Sequence, residues 1–190
     1  MDRPLGDRTR AFLLLLLTPL LLAVIAPLWT MRFDAPQYPQ GLELEIFSYT
    51  VTGDVEEVNT LNHYIGMARI DRAALSDLDF LPFAIGALSL LVLRVAAFGD
   101  LRALLDLIAL YVYFGVFSFA RFAYRLYVFG HQLDPEAPFS VEPFTPTVFG
   151  TGTVANFTIS SWPARGSIYL ALAGAGLLAA LLVTLRRKPG

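Results

Sequence analysis

Apolar residues along this chain gather into four long blocks, Ala11 to Trp29, Phe80 to Phe98, Ala103 to Phe119 and Gly166 to Leu185, with polar stretches between them. Helical spacing carries the third block on to Tyr127. A hydrocarbon core of about 30 Å takes roughly 20 mostly apolar residues of helix, and each block reaches or approaches that length. The pattern predicts membrane spans at 11–29, 80–98, 103–127 and 166–185. Left off the membrane are 1–10, 30–79, the turn 99–102, 128–165 and 186–190. The expected fold class is an all-α membrane protein, a four-transmembrane-helix bundle with a small α+β extracytoplasmic cap.

The polar segments carry patterns of their own. Leu42 to Ile46 alternates at period two, Tyr49 and Val51 follow, and Thr52 and Gly53 turn the chain, which predicts a strand and its exit. Asp54 with Glu57 reads as a capping box opening a helix whose apolar face is Val55, Val58, Leu61 and Ile65 and whose end is near Gly66. A second short helix from Asp71 to Leu78 leads into the second span, where Pro82 fits the first turn. In the other segment, rich in Pro and Phe, Thr153 to Ser160 reads as one strand paired with that near Leu44. Its exposed apolar residues need a surface to bury against, either the first segment or a protein partner.

Within the spans, Pro19 removes a helix hydrogen bond and bends the first. Arg102 and Asp106, one turn apart at the start of the third near the predicted inner surface, suggest a self-satisfying intramembrane ion pair; a proton or ion relay is the functional alternative. Tyr124 and Tyr127 suit an interfacial aromatic belt. Ala171, Ala175 and Ala179, beside Gly174 and Gly176, form a small-residue stripe and predict a packing face.

Composition agrees: 56% of residues are hydrophobic and 16% charged. Basic residues near span ends set orientation. Arg3, Arg8, Arg10, Arg94, Arg102, Arg186, Arg187 and Lys188 cluster on one side, while Arg32, Arg69, Arg72, Arg121, Arg125 and Arg165 are spread over the much longer segments of the other. This predicts a multi-pass protein of the bacterial inner (cytoplasmic) membrane with both termini cytoplasmic and the first span retained as an anchor. A net charge of −2 without a long basic run argues against nucleic acid as a partner. The absence of cysteine excludes disulfides, thiolate metal sites and iron-sulfur clusters.

Candidate chemistry concentrates in Leu61-Asn62-His63-Tyr64-Ile65-Gly66-Met67. His63 and Met67 lie one helical turn apart, and imidazole with thioether suits Cu(I). His131 and Met31 are possible further ligands. The competing reading makes His63 a hydrogen-bonding structural residue. Asn156-Phe157-Thr158 fits a glycosylation sequon, a pattern common by chance. No phosphate loop, nucleophile elbow or H-E-x-x-H is present, and two histidines offer at most one axial pair for haem. Apart from Pro19 the spans lack the broken, polar helices of transporters. An enzyme is not expected.

That string, together with Pro36-Gln37-Tyr38-Pro39-Gln40-Gly41-Leu42, resembles a family of small uncharacterised bacterial membrane proteins whose genes accompany nitrous oxide reductase and its copper-maturation factors. The resemblance covers Leu28 to Asp71. It implies a role in assembling, anchoring, or supplying electrons or copper to a periplasmic copper enzyme, and it carries no site residues over. Two functions follow as expectations. One is an accessory protein in the lipid bilayer with a protein partner on the extracytoplasmic side; the other is a copper- or redox-cofactor-binding membrane protein with His63, Met67 and His131 at its outer surface.

Overall fold

The computed structural model describes residues 4–71, 73–154 and 157–186, with Asp77 and Val154 described by backbone only. Arg3, Arg72, Arg187 and Lys188 of the charge argument and Asn156 of the sequon lie outside the described residues.

Four helical stretches are long and apolar enough to cross a membrane: Asp7–Ile25, Phe80–Phe98, Leu101–His131 and Arg165–Arg186. The first consists of α1 (Asp7–Leu15) and α2 (Leu17–Ile25), parted at Leu16. Pro19 explains the break, because it has no N–H to donate back along the helix. The stretch stops at Ile25, with Ala26 extended ahead of Pro27. It therefore ends before Trp29, the residue to which the apolar block had extended the span.

Trp29 opens a strand instead. Strands β1 (Trp29–Ala35), β2 (Tyr38–Ile46), β3 (Val51–Gly53), β4 (Gly150–Val154) and β5 (Phe157–Pro163) form one antiparallel sheet in the order β3-β2-β1-β5-β4. The all-α fold class is overturned by this sheet, which is a second architectural layer and not a small cap. Its central strand has the period of a half-buried strand: Trp29, Met31 and Ala35 are buried while Arg32 and Asp34 are exposed. Thr153 to Ser160 is not one strand either, since β4 ends at Val154 and β5, which pairs with it antiparallel, begins at Phe157. Moreover β5 pairs with β1, Met31 opposite Ser161, and not with the strand at Leu44.

The predicted outer helix exists as α3 (Val55–Tyr64), its Val58 buried against the sheet. Asp54 makes no side-chain cap there; its Oδ2 accepts the Glu43 N–H at 2.8 Å and so ties the helix start to β2. In place of the second short helix there is a bend at Asp71, a turn at 73–75 and a 3-10 turn at Ser76–Leu78. Then come α4 (Phe80–Phe98), α5 (Leu101–His131) and α6 (Arg165–Arg186). Asp100 caps α5, accepting the Ala103 N–H at 2.9 Å.

The α1–α2 rod packs against α4 and α6, as does α5, so α1–α2 and α5 are diagonal in the bundle. Leu13, Leu20, Ile85, Val92, Leu104 and Leu177 fill its centre. On α6 the packing face is Ala173, Gly176, Leu177 and Ala180; the stripe Ala171, Ala175, Ala179 is exposed, about 150° away around the helix at 100° per residue, so the predicted stripe lies on nearly the opposite face. At Gly176 the helix packs directly on Leu16, and a Cβ there would force the end of the Leu16 side chain to shift. Phe83, Leu90, Val116 and Leu182 face outward, an apolar surface compatible with lipid contact.

Both long polar segments rise from one end of the bundle. At the other end, the Leu5 N–H donates to Gly99 at 3.4 Å and Arg10 Nη1 to the Ala97 carbonyl at 2.9 Å. At the sheet end, backbone bonds from Leu28 to Ile46 (2.7 Å), Ala164 to Leu28 (3.0 Å) and Gly166 to Pro27 (2.7 Å) lock strand ends to helix ends. The Trp29 indole N–H adds a bond to Ser161 Oγ at 2.7 Å. Helix α5 is the longest at 31 residues, against 19 in α4 and 22 in α6. Phe117 packs edge-on to Phe80, the first residue of α4, at 5.8 Å. From Ser118 onward, α5 therefore projects past α4 and stands beside the sheet.

Candidate functional site

The Asn62 to Met67 string sits where α3 ends, and most of it builds structure. Asn62, 7% exposed, donates Nδ2–H to the Ala68 carbonyl at 3.3 Å, and its own carbonyl accepts the Met67 N–H at 2.8 Å. Asn59 holds Ile70 at both backbone groups, accepting its N–H at 2.7 Å and donating to its carbonyl at 3.3 Å. Gly66 has φ +78°, and a Cβ on it would lie 2.7 Å from the Asp134 carbonyl oxygen. Only glycine allows both that conformation and that approach.

The approach matters, because it joins the two polar segments. The Gly66 carbonyl accepts from Asp134 at 2.8 Å and the Tyr64 carbonyl from Phe139 at 2.9 Å. The structure thus brings the His63 string beside the chain that follows His131. His131 ends α5 with its ring stacked on Tyr127 at 3.8 Å and Nδ1 2.9 Å from the Tyr127 carbonyl. His63 is exposed, its ring 6.1 Å from that of Tyr64, which in turn lies 6.1 Å from Phe139. Met67 and Met31 both line an internal cavity, whereas His63 and His131 do not. The imidazoles and thioethers accordingly face different spaces. Among the described residues no group of three His, Cys, Asp or Glu side chains is arranged to hold a metal ion.

Arg102 and Asp106 are both exposed at the end of the bundle away from the sheet. Among the described residues the ion pairs are Arg32–Asp34 at 3.1 Å and Arg69–Glu56 at 2.5 Å, so the predicted Arg102–Asp106 bridge is not formed.

The feature that sequence reasoning missed is the cavity, about 570 Å³, between the projecting half of α5 and the sheet. That size falls in the range of small-molecule pockets, about 300–1,000 Å³. It begins among Ile85, Phe114 and Leu170 at the top of the bundle and ends at Phe129 and Phe144. Fifteen residues of α5 separate Phe114 from Phe129, about 22 Å of helix at 1.5 Å per residue. Its walls are almost wholly apolar, with Met31 and Leu44 from the sheet facing Phe122 and Leu126 of α5. A close-packed interior leaves few voids larger than water, so a space of this length is unusual. Ser118, which lines it, has a buried hydroxyl with no hydrogen-bond partner. Arg125 closes one side, donating Nε–H and Nη2–H to the Ala74 carbonyl at 3.0 and 2.6 Å. The signal for the gap was the run Phe122, Leu126, Phe129, an apolar helical face continuing beyond the length a span needs.

Fold and site together define a class: a bundle of four membrane-length helices crowned by a five-stranded antiparallel sheet, with an apolar cavity at their junction. No protein-family model, curated protein or solved structure matches this chain.

Proposed function

We propose that this chain is an accessory protein of the bacterial cytoplasmic membrane, with both termini cytoplasmic, which presents its sheet domain outside to a protein partner and performs no chemistry itself. The observation that carries this reading is the mount of the sheet. Strands β1 and β5 run into the ends of α2 and α6 through backbone hydrogen bonds, so the outer domain is fixed to the bundle and not tethered by a linker. A 31-residue helix is about 46 Å long, about 16 Å more than a bilayer core, and lifts its far end clear of the lipid. That end carries exposed Tyr64 and Phe139 beside His63 and exposed Tyr127 stacked on His131, aromatic rings of the kind enriched in interfaces.

The identity of the partner as a periplasmic copper enzyme such as nitrous oxide reductase, or its maturation machinery, rests on the resemblance of Leu28 to Asp71 alone. Photo-crosslinking from Tyr64 and Phe139 in cells making that enzyme tests it. The expected adduct contains the reductase or a copper chaperone; adducts with neither, alongside unchanged copper content of the reductase in a deletion strain, refute the reading. A copper-binding role is the second reading, favoured by the backbone bonds that set the His63 string beside the segment following His131. It requires stoichiometric copper that is lost in both His63→Ala and His131→Ala.

A further inference from the structure

We propose that the cavity between α5 and the sheet holds one acyl chain of a glycerophospholipid, drawn out of the bilayer with its ester carbonyl at Ser118. The inference takes the four-helix bundle as spanning the membrane and concerns a ligand that the accessory role does not itself require.

Three observations lead to this occupant. First, the cavity opens among residues of the bundle and continues past it, so one wall is made by membrane-length helices and the other by Met31, Leu44 and Ile159 of the sheet. An apolar ligand enters such a space from lipid without crossing water. Second, the space is long and follows the helix. Ser118 stands at the level where α4 begins, and Phe129 is eleven residues further along α5, about 16 Å. One leaflet's acyl chain spans half of a hydrocarbon core of about 30 Å, roughly 15 Å. Third, the Ser118 hydroxyl is buried without a partner, and Ser118 lines this mostly apolar channel. Buried hydroxyls are ordinarily hydrogen-bonded, and a ligand oxygen beside Ser118 would satisfy this one. At that height, the boundary between lipid tails and head groups, the available acceptor is an acyl ester carbonyl. An isoprenoid phosphate has no carbonyl to offer there.

The cavity also accounts for the two methionines. Met31 and Met67 both face it, and unbranched thioether side chains adapt their shape to a flexible chain.

The test uses the full chain in nanodiscs of phosphatidylethanolamine and phosphatidylglycerol, doped with a phosphatidylcholine carrying a diazirine at the end of one acyl chain. After illumination, adducts are mapped by peptide mass spectrometry. Annular lipid labels Phe83, Leu90 and Val116 on the outer surface of the bundle; a chain in the cavity labels Met31, Leu44 and Leu126, which lie beyond it. Adducts at the second set are expected. They should fall by about two- to tenfold in Ser118→Ala, the range for loss of one hydrogen bond. They should vanish in Met67→Trp and in Leu126→Trp, each of which fills the channel from a different wall, while Val116→Trp leaves them unchanged. Circular dichroism and adducts at the outer set report whether each variant is folded and inserted, so loss of the spanning arrangement is read separately from loss of the ligand. Labelling confined to the outer set in the wild type overturns the proposal. So does cavity labelling that persists in both tryptophan variants, or cavity labelling by a diazirine isoprenoid but not by the phospholipid.

Discussion

Gly66→Ala should detach the segment after α5 from the end of α3, by an amount that the local geometry fixes. The alanine would have to hold φ +78°, a left-handed conformation that costs an L-residue about 1–2 kcal/mol. Its Cβ would sit 2.7 Å from the Asp134 carbonyl oxygen, 2.9 Å from the Asp134 nitrogen and 3.0 Å from Ala137 Cβ. Relief requires the two backbones to part by several tenths of an ångström. That lengthens the bond from Asp134 to Gly66, now 2.8 Å, and weakens a link worth about 1 kcal/mol. Together these raise the local opening equilibrium by about 2–3 kcal/mol. In amide hydrogen exchange of the protein in nanodiscs, Asp134 and Phe139 should then exchange about 30- to 150-fold faster, while amides in the bundle core stay unchanged. Gly86→Ala is the control, since nothing lies within 4 Å of a Cβ at that helical position. Equal protection of Asp134 in the wild type and Gly66→Ala would refute the argument that this glycine is what joins the two polar segments.

Other expectations follow from the same contacts. Trp29→Phe keeps an aromatic ring but loses the indole N–H, leaving the buried Ser161 Oγ only its bond to the Val148 carbonyl, and should destabilise the sheet by about 1–3 kcal/mol, read as faster exchange in β1 and β5. Arg125→Met removes two N–H donors to the Ala74 carbonyl and should loosen residues 71–78 by about 1.5–3 kcal/mol, seen as proteolytic nicking there; an intact segment would assign the tether elsewhere. Arg102 and Asp106 are unpaired, so a double-mutant cycle to alanine should give a coupling below about 0.5 kcal/mol. Because the chain has no cysteine, single substitutions at Phe139 and Arg102 can be labelled cleanly by an impermeant maleimide. The first should react from outside intact cells and the second only after permeabilisation; reaction of both from outside would refute the orientation.

The existence of four membrane-length helices was legible because twenty apolar residues in a row leave few alternatives. The outer helix at Val55–Tyr64 was legible for the same kind of reason, a clear 3.6 period closed by a glycine. The sheet was not. Trp29 to Ala35 alternates as a strand should, but it adjoins an apolar block, and a window that scores hydrophobicity alone absorbs Trp29 into the span. Its strand character depends on Ile46 and Pro163, each far away in sequence, coming to lie on either side. The packing face of α6 failed similarly. Alanine at every fourth position defines a stripe, yet which stripe is buried depends on where Leu16 and Tyr111 stand.

Sequence alone determined that four helices are long and apolar enough to cross a membrane, since length and apolar content are one-dimensional properties of consecutive residues. Strand partners, the fate of the Asn62 to Met67 string and the cavity beside α5 were decided only in three dimensions. Each is a relation between residues from separate segments, and the cavity is a space that no single residue encodes.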